Sequence, residues 1–111
     1  MELDFNHDFY QLKFDKKWLN KLNDEYSYDS MDSVLRAGRV RALMLLNGGI
    51  LDALVDVIIF AIDDDKLNFT RDQLMAAFKN GHLNEEQLRK EVIGAIGEAG
   101  YKHLLKVSDM S

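Results

Sequence analysis

The side chains able to do chemistry are few, and most are carboxylates. Asp52 and Asp56 stand one helical turn apart, and Asp63-Asp64-Asp65 follow them. Paired carboxylates support acid–base work when burial splits their pKa values. No histidine lies near this pair in sequence to complete such a site, and the wet edge of a buried helix explains the spacing better. The Asp63 run invites a calcium loop, which needs oxygen ligands at its fifth and twelfth positions and glycine at its sixth. Counted from Asp63, those positions hold Leu67, Leu74 and Asn68, so the pattern fails at three places. His7, His82 and His103 are far apart and form no H-x-x-x-H pair. The absence of cysteine excludes disulfides, a thiolate nucleophile, cysteine-ligated zinc and iron–sulfur clusters. No metal or other cofactor is expected.

Arg36, Arg39 and Arg41 concentrate positive charge in an otherwise acidic chain. Arg36 and Arg39 are helical neighbours at i, i+3, whereas Arg41 points away. Such a group suits a phosphate or an acidic partner, or ion pairing with the chain's own surface acids. A phosphate loop is missing, because Asn47-Gly48-Gly49 is not followed by Lys-Ser/Thr. No G-x-S-x-G, kinase set or triad spacing can be assembled. The expectation is a protein that is not an enzyme and works through its surfaces.

Charge and length narrow the surface. The chain has 111 residues and a net charge of −5, a sign that disfavours nonspecific nucleic-acid binding. Only residues 33–46 approach a basic recognition helix, and Ala42–Leu46 there is apolar. Met1-Glu2-Leu3-Asp4 lacks the positive start of a signal peptide. The longest apolar run, Ile50–Ile62, is short for a membrane span and contains Asp52 and Asp56. These features read as a soluble intracellular protein with no membrane partner.

The elements that position these groups follow from period and punctuation. In residues 1–14, Leu3 and Phe5 alternate with polar neighbours, as do Tyr10, Leu12 and Phe14, around Asn6-His7. This is a β-hairpin whose apolar face must pack on something else. From Asp15 the period becomes helical: Asp15 caps a helix to about Tyr26 carrying Trp18, Leu19 and Leu22. A second helix spans about residues 33–46, with Val34, Leu35, Ala37, Val40, Leu43, Met44 and Leu46 apolar, and Asn47-Gly48-Gly49 breaks it. Ile50–Ile62 reads as a central helix, buried except along a stripe shared by Asp52, Asp56 and Asp63. Thr70-Arg71-Asp72-Gln73 forms a capping box with Phe69 and Leu74 as its staple, and Gly81 closes that helix. Asn84-Glu85-Glu86-Gln87 starts the last helix, whose stripe is Leu88, Val92, Ala95, Ile96 and Ala99 and which Gly100 stops. Gly94 and Gly97 within it point to close approach of a neighbouring backbone. Residues 101–111 read as a strand, a docking turn or a flexible end. The expected architecture is mainly α (α+β): a single domain over 1–111, with a hairpin at 1–14, a compact bundle of about five helices over 15–100 and a tail.

Ile59 falls within the angular range of the acidic stripe, which marks it as an exposed apolar group rimmed by acids. The candidate protein-binding residues are therefore Ile59, Arg36, Arg39 and the Leu104–Leu105 pair, and self-association is one use for them.

The order of elements resembles a known family. Phe9-Tyr10-Gln11-Leu12-Lys13-Phe14 followed by Trp18-Leu19-Asn20-Lys21-Leu22 is similar to the start of the small tail assembly chaperones of long-tailed, siphovirus-type bacteriophages and prophages of Gram-positive hosts. The likeness continues through Asp24-Glu25-Tyr26, the glycine-interrupted apolar stretch Leu43–Ile62, the Phe69–Leu74 helix start and an acidic final helix. The resemblance implies a non-enzymatic protein of the host bacterial cytoplasm, not part of the mature virion. It would bind the tape measure protein, and tail tube subunits as a second partner, during tail morphogenesis. The same acidic, surface-acting character also suits a small phage-encoded adaptor or an inhibitor of a host protein.

Overall fold

The computed structural model describes the backbone of residues 1–26 and 38–110, and the side chains of residues 1–25 and 41–97. Two strands, β1 (Glu2–Phe5) and β2 (Asp8–Gln11), form an antiparallel hairpin that pairs Leu3 with Tyr10 and Phe5 with Asp8. Asn6 and His7 make the turn at φ 57° and 69°, the two positive values that a type I′ hairpin turn requires. Five helices follow among the described residues: α1 (Lys16–Tyr26), α2 (Gly38–Asn47), α3 (Leu51–Phe60), α4 (Arg71–Lys79) and α5 (Glu85–Met110). The expected start of α2 at Asp32 or Ser33 lies outside the described residues.

The core is continuous from hairpin to last helix. Leu3, Tyr10 and Leu12 join Trp18 and Leu22 of α1, Ala42 and Leu46 of α2, and Val92 and Ile96 of α5. Around them stands α3, which buries Ala53, Leu54, Val55, Val57 and Ile58 and packs against α1, α2, α4 and α5. A helix apolar around most of its circumference has no other stable place. The hairpin's inner face is held by aromatic contacts. The Phe69 ring meets Phe5 at 4.9 Å and Tyr10 at 5.1 Å, both edge-on, a geometry that adds about 0.5–1.5 kcal/mol per pair beyond burial.

Local rules place the helix ends. The Trp18 N–H donates to Asp15 Oδ1 at 3.0 Å, the expected cap of α1. The capping box of α4 is complete: Gln73 N–H donates to Thr70 Oγ1 at 3.1 Å, and Thr70 N–H to Gln73 Oε1 at 2.8 Å. At α5 only half of the expected box forms. Gln87 N–H donates to Asn84 Oδ1 at 3.0 Å, but the Gln87 amide turns forward to Glu91. Two helices end in the same paired reverse bonds. After α2, Gly49 N–H donates to Leu46 and Ile50 N–H to Leu45; after α4, Gly81 N–H donates to Phe78 and His82 N–H to Ala77. This is the Schellman motif, and it needs a left-handed residue, supplied by Gly49 at φ 78° and Gly81 at φ 79°.

Met44, one of the apolar positions of α2, is 69% exposed. Two expectations about α5 are corrected. Gly100 does not stop α5, whose backbone stays helical to Met110; a right-handed glycine inside a helix costs only about 1 kcal/mol, which neighbouring turns absorb. Among the described residues Gly94 and Gly97 are exposed and meet no close neighbour, since a Cβ at either position would find nothing within 4 Å. The same substitution should therefore act with opposite signs along the chain. Gly94→Ala and Gly97→Ala should each raise stability by about 0.5–1 kcal/mol, while Gly81→Ala should lower it by about 1 kcal/mol, read from urea midpoints.

Candidate protein-binding surface

Asp52, Asp56, Asp63 and Asp64 are each ion-paired to a cation on another element. Arg71, at the start of α4, donates through Nε to Asp56 Oδ1 at 2.8 Å and through Nη2 to Asp52 Oδ1 at 3.3 Å. Bonding to Asp56 first, and to Asp52 second, raises the guanidinium pKa further above its ordinary value. One arginine thus relieves two like charges on neighbouring turns of α3. Asp63 is not on that stripe, because α3 ends at Phe60. It faces the hairpin's exit instead, where Lys13 Nζ stands 3.2 Å from Asp63 Oδ2, and Lys21 Nζ of α1 stands 2.9 Å from Asp64 Oδ1. Among the described residues no three His, Cys, Asp or Glu side chains group as metal ligands do.

Of the candidate binding residues, Ile59 alone has a described side chain. Ile59 is half-buried and packs on the core, rather than standing exposed; Arg71 from α4 spans the acidic edge, where Asp52 stays exposed and Asp56 is half-buried. Arg39 belongs to the first turn of α2 and Leu104 and Leu105 to the last turns of α5, with side chains outside the described residues; Arg36 lies outside them altogether.

Exposed apolar surface lies elsewhere. Phe9 is 76% exposed, Met44 69% and Ile50 44%. Met44 and Ile50 flank the Schellman turn that ends α2. Phe9 lies on the outer face of the hairpin, opposite Asp4. The signal for it was parity: Tyr10, Leu12 and Phe14 point inward, so Phe9 must point out. Beside it runs a groove of about 530 Å³ between β2 and residues 62–68. A second hollow of about 280 Å³ lies between the hairpin turn and α4, lined by Phe5, Asn6, Gln73, Asn80 and His82.

The lysine bonds give this region a pH signature. Hydrogen bonding to Lys13, then the charge of Lys13, hold the Asp63 carboxyl below the ordinary 3.8. Lys21 does the same for Asp64. A carboxylate with a depressed folded pKa stabilises the fold above its unfolded pKa and loses that contribution as pH falls through the folded one. Side-chain carbon NMR should show Asp63 and Asp64 titrating below 3.8. Lys13→Met should return Asp63 to the ordinary range and leave Asp64 depressed, and added salt should shrink both shifts.

No helix among the described residues is long and apolar enough to cross a membrane. No curated protein and no solved structure matches the chain. A family model described as phage tail assembly chaperone protein, TAC, matches residues 2–107, from the first strand of the hairpin into the last turns of α5. With nearly the whole chain inside that match, the chain belongs to the phage tail assembly chaperone family.

Proposed function

We propose that this chaperone binds the tape measure protein of a siphovirus-type phage or prophage of a Gram-positive host, with tail tube subunits as a second partner. The observation that carries the reading is the family match over residues 2–107. Family membership implies a non-enzymatic role in which tail proteins are bound. The chain's chemistry suits that role: a net charge of −5 favours solubility of a complex, and exposed Phe9, Met44 and Ile50 provide apolar contacts. On this reading the protein acts in the host cytoplasm and is absent from the finished virion. Arg36, Arg39, Ile59, Leu104 and Leu105 are proposed as further contact positions.

Co-expression tests the proposal. The tape measure protein encoded in the same genome should shift from the insoluble to the soluble fraction when this chain is present and should co-purify with it. Equal insolubility with and without the chain would remove the mechanism. Stoichiometric capture of one folded host protein in its place would favour an adaptor or inhibitor.

A further inference from the structure

Among the described residues, the outer edge of β2 is an unfilled half of a β-ladder. In an antiparallel pair, successive residues direct their main-chain N–H and C=O alternately toward and away from the neighbouring strand. The Leu12 N–H donates across the hairpin to Met1 at 2.9 Å, whereas the Lys13 N–H donates the opposite way, to Ala61 at 2.8 Å. Counting back by two from Lys13, the main chains of Gln11 and Phe9 face away from β1. Among the described residues neither makes a backbone hydrogen bond on that side. The ladder is occupied at Lys13 and open for the two outward positions before it.

The groove lies along this open edge. Four consecutive residues, Asp8 to Gln11, line one wall, and residues from 62 to 68 form the other. A strand seen face-on would show only alternate residues, so four in a row mark an edge presented to the groove. Tyr10 on the same wall carries a buried hydroxyl with no hydrogen-bond partner. Charge selects the occupant. Asp8, Asp63 and Asp65 line the groove against Lys13 and Lys66, and Lys13 is already paired with Asp63. Exposed Glu2 and Asp4 stand across the hairpin from Gln11 and Phe9, on the same face.

We propose that this edge accepts an extended segment of the partner protein as a third strand, hydrogen-bonded to Phe9 and Gln11. The segment places an apolar side chain on Phe9 and Lys or Arg beside it, against the carboxylates. The recognition mode is strand addition, in which main-chain bonds give affinity and alternate side chains give selectivity. It rests on the chaperone reading above and names the chemistry of the segment held.

Amide exchange followed by NMR, with overlapping synthetic peptides covering the tape measure protein of the same genome, tests it. The Phe9 and Gln11 amides should exchange freely in the chain alone and become protected by peptides carrying an apolar residue flanked by Lys or Arg. Phe9→Asp and Asp65→Lys should each weaken such a peptide about tenfold, equivalent to about 1.4 kcal/mol. Gln11→Pro, which removes the outward N–H of an edge strand together with the long side-chain bond from Gln11 to the Met1 carbonyl, should do the same. Lys90→Ala, at an exposed position of α5 that does not line the groove, should leave binding unchanged, and thermal melts check that every variant folds. If the chain keeps the tape measure protein soluble while the Phe9 and Gln11 amides stay open and Phe9→Asp binds normally, strand addition is wrong and the chaperone reading stands. If the tape measure protein is neither bound nor solubilised, both fail. Protection that rises with the chain's own concentration, without peptide, would overturn the proposal in favour of self-pairing.

Discussion

The C-terminal end of α3 is the point on which the arrangement depends. A helix end leaves carbonyls without intrahelical partners, and a buried end must find substitutes. Here the last turn tightens, with Ala61 N–H donating to Ile58 and Ile62 N–H to Ile59. That shift frees the Val57 carbonyl, and the buried Trp18 indole takes it at 3.3 Å. The Ala61 carbonyl is taken by Lys13 N–H at 2.8 Å. Both donors come from the six-residue span 13–18, which links hairpin to first helix. The two bonds therefore fix β2, α1 and α3 relative to one another. A two-stranded hairpin is marginal alone, so its order is borrowed from this junction and from the Phe69 ring beneath it.

What was legible in the sequence was whatever local chemistry decides. Asp15, Thr70, Gly49 and Gly81 announce helix starts and stops because their side chains or backbone freedom act within one turn. Asn6-His7 was a weaker signal than Asn-Gly, yet the alternation on either side left the turn nowhere else to go. What misled was anything that needs a neighbour in space. Asp63 shares an angular stripe with Asp52 and Asp56 only if the helix continues, and it does not. Ile59 looked exposed because nothing in the sequence says which core side chains will pack against it. Gly94 and Gly97 looked like packing glycines, but among the described residues nothing comes within 4 Å of a Cβ placed there. The edge of β2 was invisible for the same reason: its openness depends on where Ala61 sits.

The division of labour among charged groups follows. Acids that could have formed a reactive pair are placed where each meets a cation, and the bonds they make run between elements rather than into a cavity. Such exposed pairs contribute little stability individually. Their value here is orientation, since Lys13–Asp63 and Lys21–Asp64 flank the junction at the end of α3 on two sides. Among the described residues, apolar exposure is left to a few side chains, above all Phe9, beside surface rich in carboxylates.

The junction also sets an order of events during synthesis. The bonds that fasten the first strands and α1 reach 39 residues ahead from Trp18 to Val57, 43 from Lys21 to Asp64 and 50 from Lys13 to Asp63. By contrast, Arg71 reaches back only 15 and 19 residues to its partners on α3. At about 5–20 residues per second of translation, the opening segment emerges from the ribosome seconds before the helix it must clasp. A protein whose family escorts other unfinished proteins thus begins its own life with Leu3, Tyr10 and Trp18 uncovered, waiting for the middle of its chain to arrive.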